Sequence, residues 1–202
     1  AHRFRRPDLL EERLATLGRA VALTGDAPAI EAGRLRATRL AGQMLALLPH
    51  IQRLDQRIAE LFDSHPDAPI FRSLPGAGTV LAPRLLAAFG ARRDRWRDAS
   101  EVATFSGIAP VVKRSGKLSM TLFRRAAPKF LRQSFHEFAR CSTLFCPWAA
   151  DFYQAKRSSG KTHHAAVRAL AFKWIRIIHA CWHNRIPYDP AKYPNSILPQ
   201  TT

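Results

Sequence analysis

The chain has 202 residues, of which 47% are apolar, so it can bury one substantial core and is not expected to be disordered. No run approaches the roughly 18 consecutive apolar residues of a membrane span, and the first thirty residues lack the apolar core of a secretion signal. Its formal charge of +17 exceeds what solubility requires and predicts a polyanionic partner.

The positive charge is concentrated in the second part of the chain. Residues 1–70 hold ten basic and nine acidic side chains, against twenty-two and six over residues 71–202. No basic amphipathic anchor with a bare apolar face accompanies this charge, which favours nucleic acid over a membrane surface. We therefore expect a cytoplasmic, nucleoid-associated protein. Its first residue is Ala1 rather than Met, and we favour a piece of a longer product over methionine removal.

The first elements along the chain are two predicted helices. Residues 8–23 form a short amphipathic segment. A heptad pattern then runs over residues 40–61 and predicts a coiled-coil seam. The seam residues are Leu40, Met44, Leu47, Ile51, Leu54, Ile58 and Leu61. The seam predicts a homo-oligomer, although a helical hairpin within one domain is equally compatible. Pro49 should kink this helix or mark where it restarts.

Charge balance and proline content set the predicted domain boundaries. Residues 1–63 form the coiled-coil element, and the proline-containing stretch 64–69 is a linker. Residues 70–186 form a compact basic helical domain. Residues 187–202 form a proline-rich tail along the surface. The predicted fold class is therefore mainly α, with helices over 79–89, 99–106, 121–140, 147–157 and 162–184.

A glycine-containing turn precedes the helix predicted over 79–89. Gly76 and Gly78 allow a tight turn and can expose amides at the positive end of a helix, an arrangement that suits a phosphate. This turn resembles the hairpin of helix-hairpin-helix DNA-binding modules. An ordinary turn before a core helix remains the alternative.

An extended basic stretch is predicted around residues 108–119. Within it, the Ser115 hydroxyl lies among the cations of Lys113, Arg114 and Lys117. Attack on a phosphodiester needs a positioned nucleophile and positive charge where the phosphoryl oxygens gain charge. Ser115 is thus a candidate nucleophile, while a turn that merely touches phosphate is the alternative.

The helix predicted over 121–140 carries a cationic face opposite an aromatic one. Arg125, Lys129 and Arg132 recur at helical spacing, followed by His136 and Arg140, and they predict phosphate contacts, unless this is only a solvated face. Arg124 could clamp the scissile phosphate through its forked donors.

No metal site is predicted in this chain. The three cysteines, Cys141, Cys146 and Cys181, show no Cys-x-x-Cys spacing, so we expect reduced, packed thiols. His179 and His183 lie four residues apart but have no third ligand at a matching spacing.

Five segments, in order, resemble the C-terminal half of the bridge-RNA-guided transposases of the insertion-sequence 110 family. The segments are Leu74–Arg84, Phe105–Pro110, Arg114–Lys117, Arg124–Arg132 and Gly160–Trp174. The resemblance implies a serine transposase domain that acts on DNA at insertion-sequence ends and is guided by structured RNA. It implies that Ser115 forms a covalent phosphoserine link with DNA, and that residues 40–61 join the two halves of the enzyme.

The chain also departs from this family. The resemblance implies an N-terminal RuvC-like domain whose four carboxylates bind Mg²⁺, yet only fifteen carboxylates occur here and none forms such a strand-borne set. We therefore expect Mg²⁺ to come through a domain absent from this chain, which alone would bind DNA without cleaving it. A non-catalytic DNA- or RNA-binding module from a truncated transposase is the alternative function.

Overall fold

The computed structural model describes residues 7–21, 23–115, 118–122, 124 and 126–192; for residues 7, 8, 112–115 and 118–122 it describes the backbone alone. Eight α-helices and one pair of strands are formed in this part of the chain. The helices are α1 (Pro7–Gly18), α2 (Ala27–Asp63), α3 (Ala68–Arg72), α4 (Gly78–Phe89), α5 (Ala99–Phe105), α6 (Lys129–Ser142), α7 (Pro147–Ser158) and α8 (His163–Asn184). The strands are β1 (Val111–Ser115) and β2 (Leu118–Leu122). Two short 3-10 helices occupy Arg93–Arg95 and Pro190–Lys192.

The mainly α fold class is confirmed, whereas one predicted helix is wrong over its first part. The helix expected over 121–140 begins only at Lys129, because Pro128 has no N–H to donate and disfavours helical backbone in the residue before it. Residues 118–122, which overlap the start of that prediction, instead pair antiparallel with β1. The extended stretch predicted around 108–119 is therefore one part of a two-stranded antiparallel pair.

The chain divides into two compact units, Ala1–Asp55 and Gln56–Thr202. The first contains α1 and most of α2, and α2 continues through Pro49 without a break. All seven residues of the predicted seam are exposed, to between 47% and 69%.

Helix α8 forms the centre of the second unit. Its buried residues recur along nearly its whole length, as expected of a helix packed on several sides. Trp174 is fully buried and lies with its ring centroid 4.6 Å from that of Trp148 and 5.0 Å from that of Phe138. The Trp174 indole N–H donates to the Ser142 hydroxyl at 2.8 Å, which satisfies the one polar atom of this side chain.

A second part of the same core lies between α3, α4 and the end of α8. Phe71 and Phe89 are fully buried, and the Trp182 ring packs 5.5 Å from that of Phe89. Next to them, Arg93 binds Asp67 through two hydrogen bonds of 2.5 and 2.8 Å. The Arg93 guanidinium also lies 4.7 Å from the Trp182 ring centroid. Asp67, which the sequence assigned to the linker, is thus buried and paired.

The chain after α8 returns to this core. Tyr188 is buried, its hydroxyl accepts the indole N–H of Trp148 at 2.8 Å, and its backbone N–H donates to the Ser73 hydroxyl at 2.7 Å. The start of the predicted surface tail is therefore packed into the second unit. No helix in the described ranges combines the length and the apolar character needed to cross a membrane.

Candidate nucleic-acid interface

The pair of strands contains the predicted nucleophile. Ser115 is the last residue of β1 and lies opposite Leu118, the first residue of β2. Arg114 pairs in register with Ser119, and Lys113 with Met120. The side chains of Lys113, Arg114 and Ser115 lie outside the described residues, as do Gly116, Lys117 and Arg125 altogether. Their predicted roles therefore stay predictions.

Arg132 holds the segment between β2 and α6 in place through hydrogen bonds. The Arg132 guanidinium donates to the carbonyl oxygen of Arg124 at 3.1 Å and to that of Ala127 at 3.4 Å. Gly107, with φ +72°, makes room for this arrangement, because an added Cβ would lie 2.7 Å from the Ala127 Cβ and 3.3 Å from the Arg132 Nε. Arg132 therefore orders the chain that carries Arg124, a role that the sequence did not predict.

Two of the predicted phosphate ligands have exposed side chains. Arg124 precedes α6, and Lys129 is the first residue of that helix. Arg124 borders an open cavity of about 440 Å³ that also contains Arg97, Asp98 and Glu101. The two carboxylates accept backbone N–H groups at the start of α5, Asp98 from Glu101 and Glu101 from Arg97. Because this cavity contains charges of both signs, it is no dedicated phosphate pocket.

The two glycines of the turn before α4 differ in their surroundings. Gly76 has φ +79°, and an added Cβ would lie 2.9 Å from the Phe145 ring and 3.1 Å from the Cys141 carbonyl, so this position is closed by packing. Gly78 has φ +54° and faces open space at the first turn of α4, where no side chain caps the helix. Only Gly78 retains the approach that a phosphate at this helix end would need.

The structure also brings together cations that the sequence did not single out. Lys156, Lys161 and Arg168, from α7, α8 and the turn between them, line one cavity of about 450 Å³. Arg168 also lines a neighbouring cavity of about 430 Å³ beside Lys129 and Arg132. These cations come from segments some thirty residues apart, so the local spacing of residues did not predict that they lie together. Only the resemblance of Gly160–Trp174 to the family pointed to this region.

The described residues offer no site for the expected Mg²⁺. Among them, no group of three or more His, Cys, Asp or Glu side chains is placed to hold a metal ion. Glu137, a partly buried carboxylate that lines a cavity with Lys129 and Arg132, is bound to Arg84 at 2.6 Å. No step of the chemistry can therefore be assigned to a metal held by these residues.

Comparison with known proteins shows which family this basic helical unit is similar to. Residues 68–154, from α3 into α7, match the transposase family described as Transposase IS116/IS110/IS902 family. This stretch of the chain is therefore similar to the transposase domain of that family.

Several insertion-element proteins are similar to this chain over a stretch longer than residues 68–154. The uncharacterized 42 kDa protein of insertion element IS900 from Mycobacterium paratuberculosis is 34% identical over 154 residues, which cover 76% of this chain and 39% of that protein. The uncharacterized 44.8 kDa protein of insertion element IS116 from Streptomyces clavuligerus is 32% identical over 198 residues, which cover 89% of this chain and 49% of that protein. The chain therefore spans less than half the length of these relatives.

Proposed function

We propose that this chain is the DNA-handling part of an insertion-sequence transposase in which Ser115 attacks a DNA phosphodiester. The observation that carries the proposal is the family match over 68–154, which spans the strand ending at Ser115. The match supports action on insertion-sequence DNA, while the nucleophile rests on the chemistry of residues 113–117. Structured RNA would guide the enzyme to its target, in keeping with the resemblance of the five segments.

The chemistry is an exchange of phosphodiester bonds. The Ser115 oxygen forms a bond to phosphorus as the bond from phosphorus to a deoxyribose oxygen breaks, the serine loses its proton and the departing oxygen gains one. Because one phosphodiester replaces another, bond energy is conserved and no nucleotide cofactor is needed. Arg114, Lys117 and Arg124 would stabilise the charge that develops on the phosphoryl oxygens.

The remaining parts of the enzyme would come from outside this chain. The chain covers less than half of its relatives, and its described residues form no metal cluster. A RuvC-like partner domain holding Mg²⁺ would supply the general base and further charge stabilisation. The exposed seam over residues 40–61 would join copies of the chain into an oligomer.

The test combines the full chain with a RuvC-like partner domain, Mg²⁺, guide RNA and labelled insertion-sequence-end DNA. Covalent protein–DNA adducts are counted after denaturation, for the unchanged chain, for Ser115→Ala and for Ser119→Ala. Ser119 is a matched control because it is a hydroxyl residue of the same pair of strands, opposite Arg114. We expect Ser115→Ala to abolish the adduct while leaving DNA binding intact, and Ser119→Ala to form it normally.

Two outcomes would contradict this proposal. An adduct that persists in Ser115→Ala would remove Ser115 from the mechanism. No adduct from the unchanged chain, with DNA binding retained, would support a second function, that of a non-catalytic nucleic-acid-binding module. The excess of basic over acidic side chains in residues 71–202, twenty-two against six, is the observation that favours this second function.

A further inference from the structure

Two adjoining cavities form a concave surface between α6, α7 and α8, apart from the paired strands. It consists of the two cavities of about 430 and 450 Å³, which share Ile108 and Arg168 in their walls. We name it the α8 groove. Its far side reaches Pro110, the residue immediately before β1. A ligand strand lying along the groove would therefore run toward the strand that ends at Ser115.

The charge in the α8 groove is almost entirely positive. Its cationic lining residues are Lys129, Arg132, Lys156, Lys161 and Arg168. Glu137 is the one carboxylate among its lining residues, and the Arg84 guanidinium already neutralises it at 2.6 Å. The lining also contains apolar surface from Ile108, Ala165 and Phe172. Such a surface suits an anionic chain with repeated charges better than a single small anion.

Two neighbouring histidine rings contribute to the lining of the groove. The ring centroids of His136 on α6 and His164 on α8 are 5.6 Å apart, and both residues line the same cavity. Burial, followed by the neighbouring His164, His163 and Arg168, lowers the pKa of His136 from its ordinary value, and Glu137 only partly opposes this. Lys129 and Arg132, which line the same cavity, add further positive charge. Burial and the neighbouring positive charge therefore both disfavour protonation of the His136 ring in the free protein.

We propose that the α8 groove binds the phosphate backbone of a nucleic acid and leads it toward the paired strands. Lys156 and Lys161, from the α7 side, contact phosphates that Lys129 on the α6 side does not reach. Duplex DNA and structured RNA share this phosphate chemistry, and the experiment below distinguishes them. The proposal rests on the proposed function only for the class of partner, because binding in the groove does not require Ser115.

Binding in the groove should take up protons. A phosphate bound beside His136 and His164 adds a negative charge that attracts their protonated forms, so the pKa of His136 is higher in the complex than in the free protein. A group whose pKa rises on binding makes the complex tighter as the pH falls, until both states are protonated. A merely solvated basic surface would lack this dependence on one particular histidine.

The test measures binding of the full chain to a duplex DNA of arbitrary sequence and to an RNA hairpin of similar length over a series of salt concentrations. The groove variant is Lys156→Gln with Lys161→Gln. The charge-matched control is Arg92→Gln with Arg176→Gln, two exposed cations outside the groove lining. We expect log K to fall less steeply with log salt in the groove variant, with a slope about 2 smaller in magnitude for the nucleic acid that binds in the groove. The control variant should keep the slope of the unchanged chain.

The nucleic acid whose salt slope becomes shallower in the groove variant than in the unchanged chain is the one that binds in the groove. Equal losses in the groove variant and the control, or no loss with either nucleic acid, would overturn the proposal. A second measurement compares binding at about pH 7.5 and about pH 5.5, a range in which histidines titrate. His136→Gln should abolish the tightening at low pH, whereas His50→Gln on α2 should retain it; the same dependence in both would also overturn the proposal. Ser115→Ala should bind normally, which separates this test from that of the nucleophile.

Discussion

The two units of the molecule use apolar residues in opposite ways. In the second unit, Trp174, Phe138 and Phe89 are fully buried against one another and against α8. In the first unit, Met44 and Leu47 are exposed to 69% and 57%, although they recur as regularly as any core residue. Regular apolar spacing thus marks a face that is suited to burial in both units. The second unit buries this face in its own core, whereas the seam side chains are exposed.

This difference shows how each unit can cover its apolar side chains. The second unit contains a core large enough to fold by itself and can hold a binding surface in place. The exposed seam over residues 40–61 reaches the stability of a coiled coil only when another helix covers it. The comparison therefore predicts that substitutions in the second unit change folding, whereas substitutions in the seam change assembly.

The largest effect is expected from Trp174→Ala. Removing this fully buried ring leaves a cavity beside Trp148 and Phe138 and removes the indole N–H that donates to the Ser142 hydroxyl. We expect the free energy of unfolding to fall by about 3–5 kcal/mol, measured by denaturant unfolding of the second unit. A loss below about 1 kcal/mol would contradict the central place of α8 in this core.

A somewhat smaller effect is expected from Asp67→Asn. The side chains of Asp67 and Arg93 are 9% and 17% exposed, so the substitution leaves a buried guanidinium without its counter-charge, at a cost of about 3 kcal/mol. Hydrogen bonding to Arg93 lowers the pKa of Asp67 below its ordinary value. This contribution is therefore fully present above about pH 4 and is lost as the pH falls through the lowered pKa. Acid unfolding followed by circular dichroism should show this loss in the unchanged chain and a flatter profile in Asp67→Asn.

The smallest effect on folding is expected from Leu47→Asp in the seam. Because Leu47 is exposed, the free energy of unfolding of the isolated chain should change by no more than about 0.5 kcal/mol. The assembly should change instead, since a charge in the seam must be desolvated against a second helix. Sedimentation velocity should show an oligomer for the unchanged chain and monomer for the variant. An unchanged chain that stays monomeric would contradict the coiled coil.

The sequence predicted the elements that depend on local periodicity. The helices observed as α4, α7 and α8 were confirmed to within a residue or two, because their apolar residues recur at helical spacing. The first part of the helix predicted over 121–140 was wrong, because that stretch pairs with β1 and Pro128 delays the start of α6. Pairing between strands depends on a partner segment, which local spacing does not reveal.

The candidate site was predictable only in part for the same reason. The cations around Ser115 are neighbours in sequence, so their charge was visible at once. The role of Arg132 depends on two carbonyl oxygens earlier in the chain, and the α8 groove depends on contributions from α6, α7 and α8. Sequence spacing identifies such residues only after the helices have been packed together.

The most direct measurement of the central claim is to identify the residue that carries DNA in the covalent adduct. The adduct formed with the RuvC-like partner, Mg²⁺, guide RNA and insertion-sequence-end DNA would be digested with nuclease and protease, and the peptides analysed by mass spectrometry. The account predicts a nucleotide remnant on the Ser115 oxygen. A remnant on any other residue of this chain, or on the partner domain alone, would contradict it.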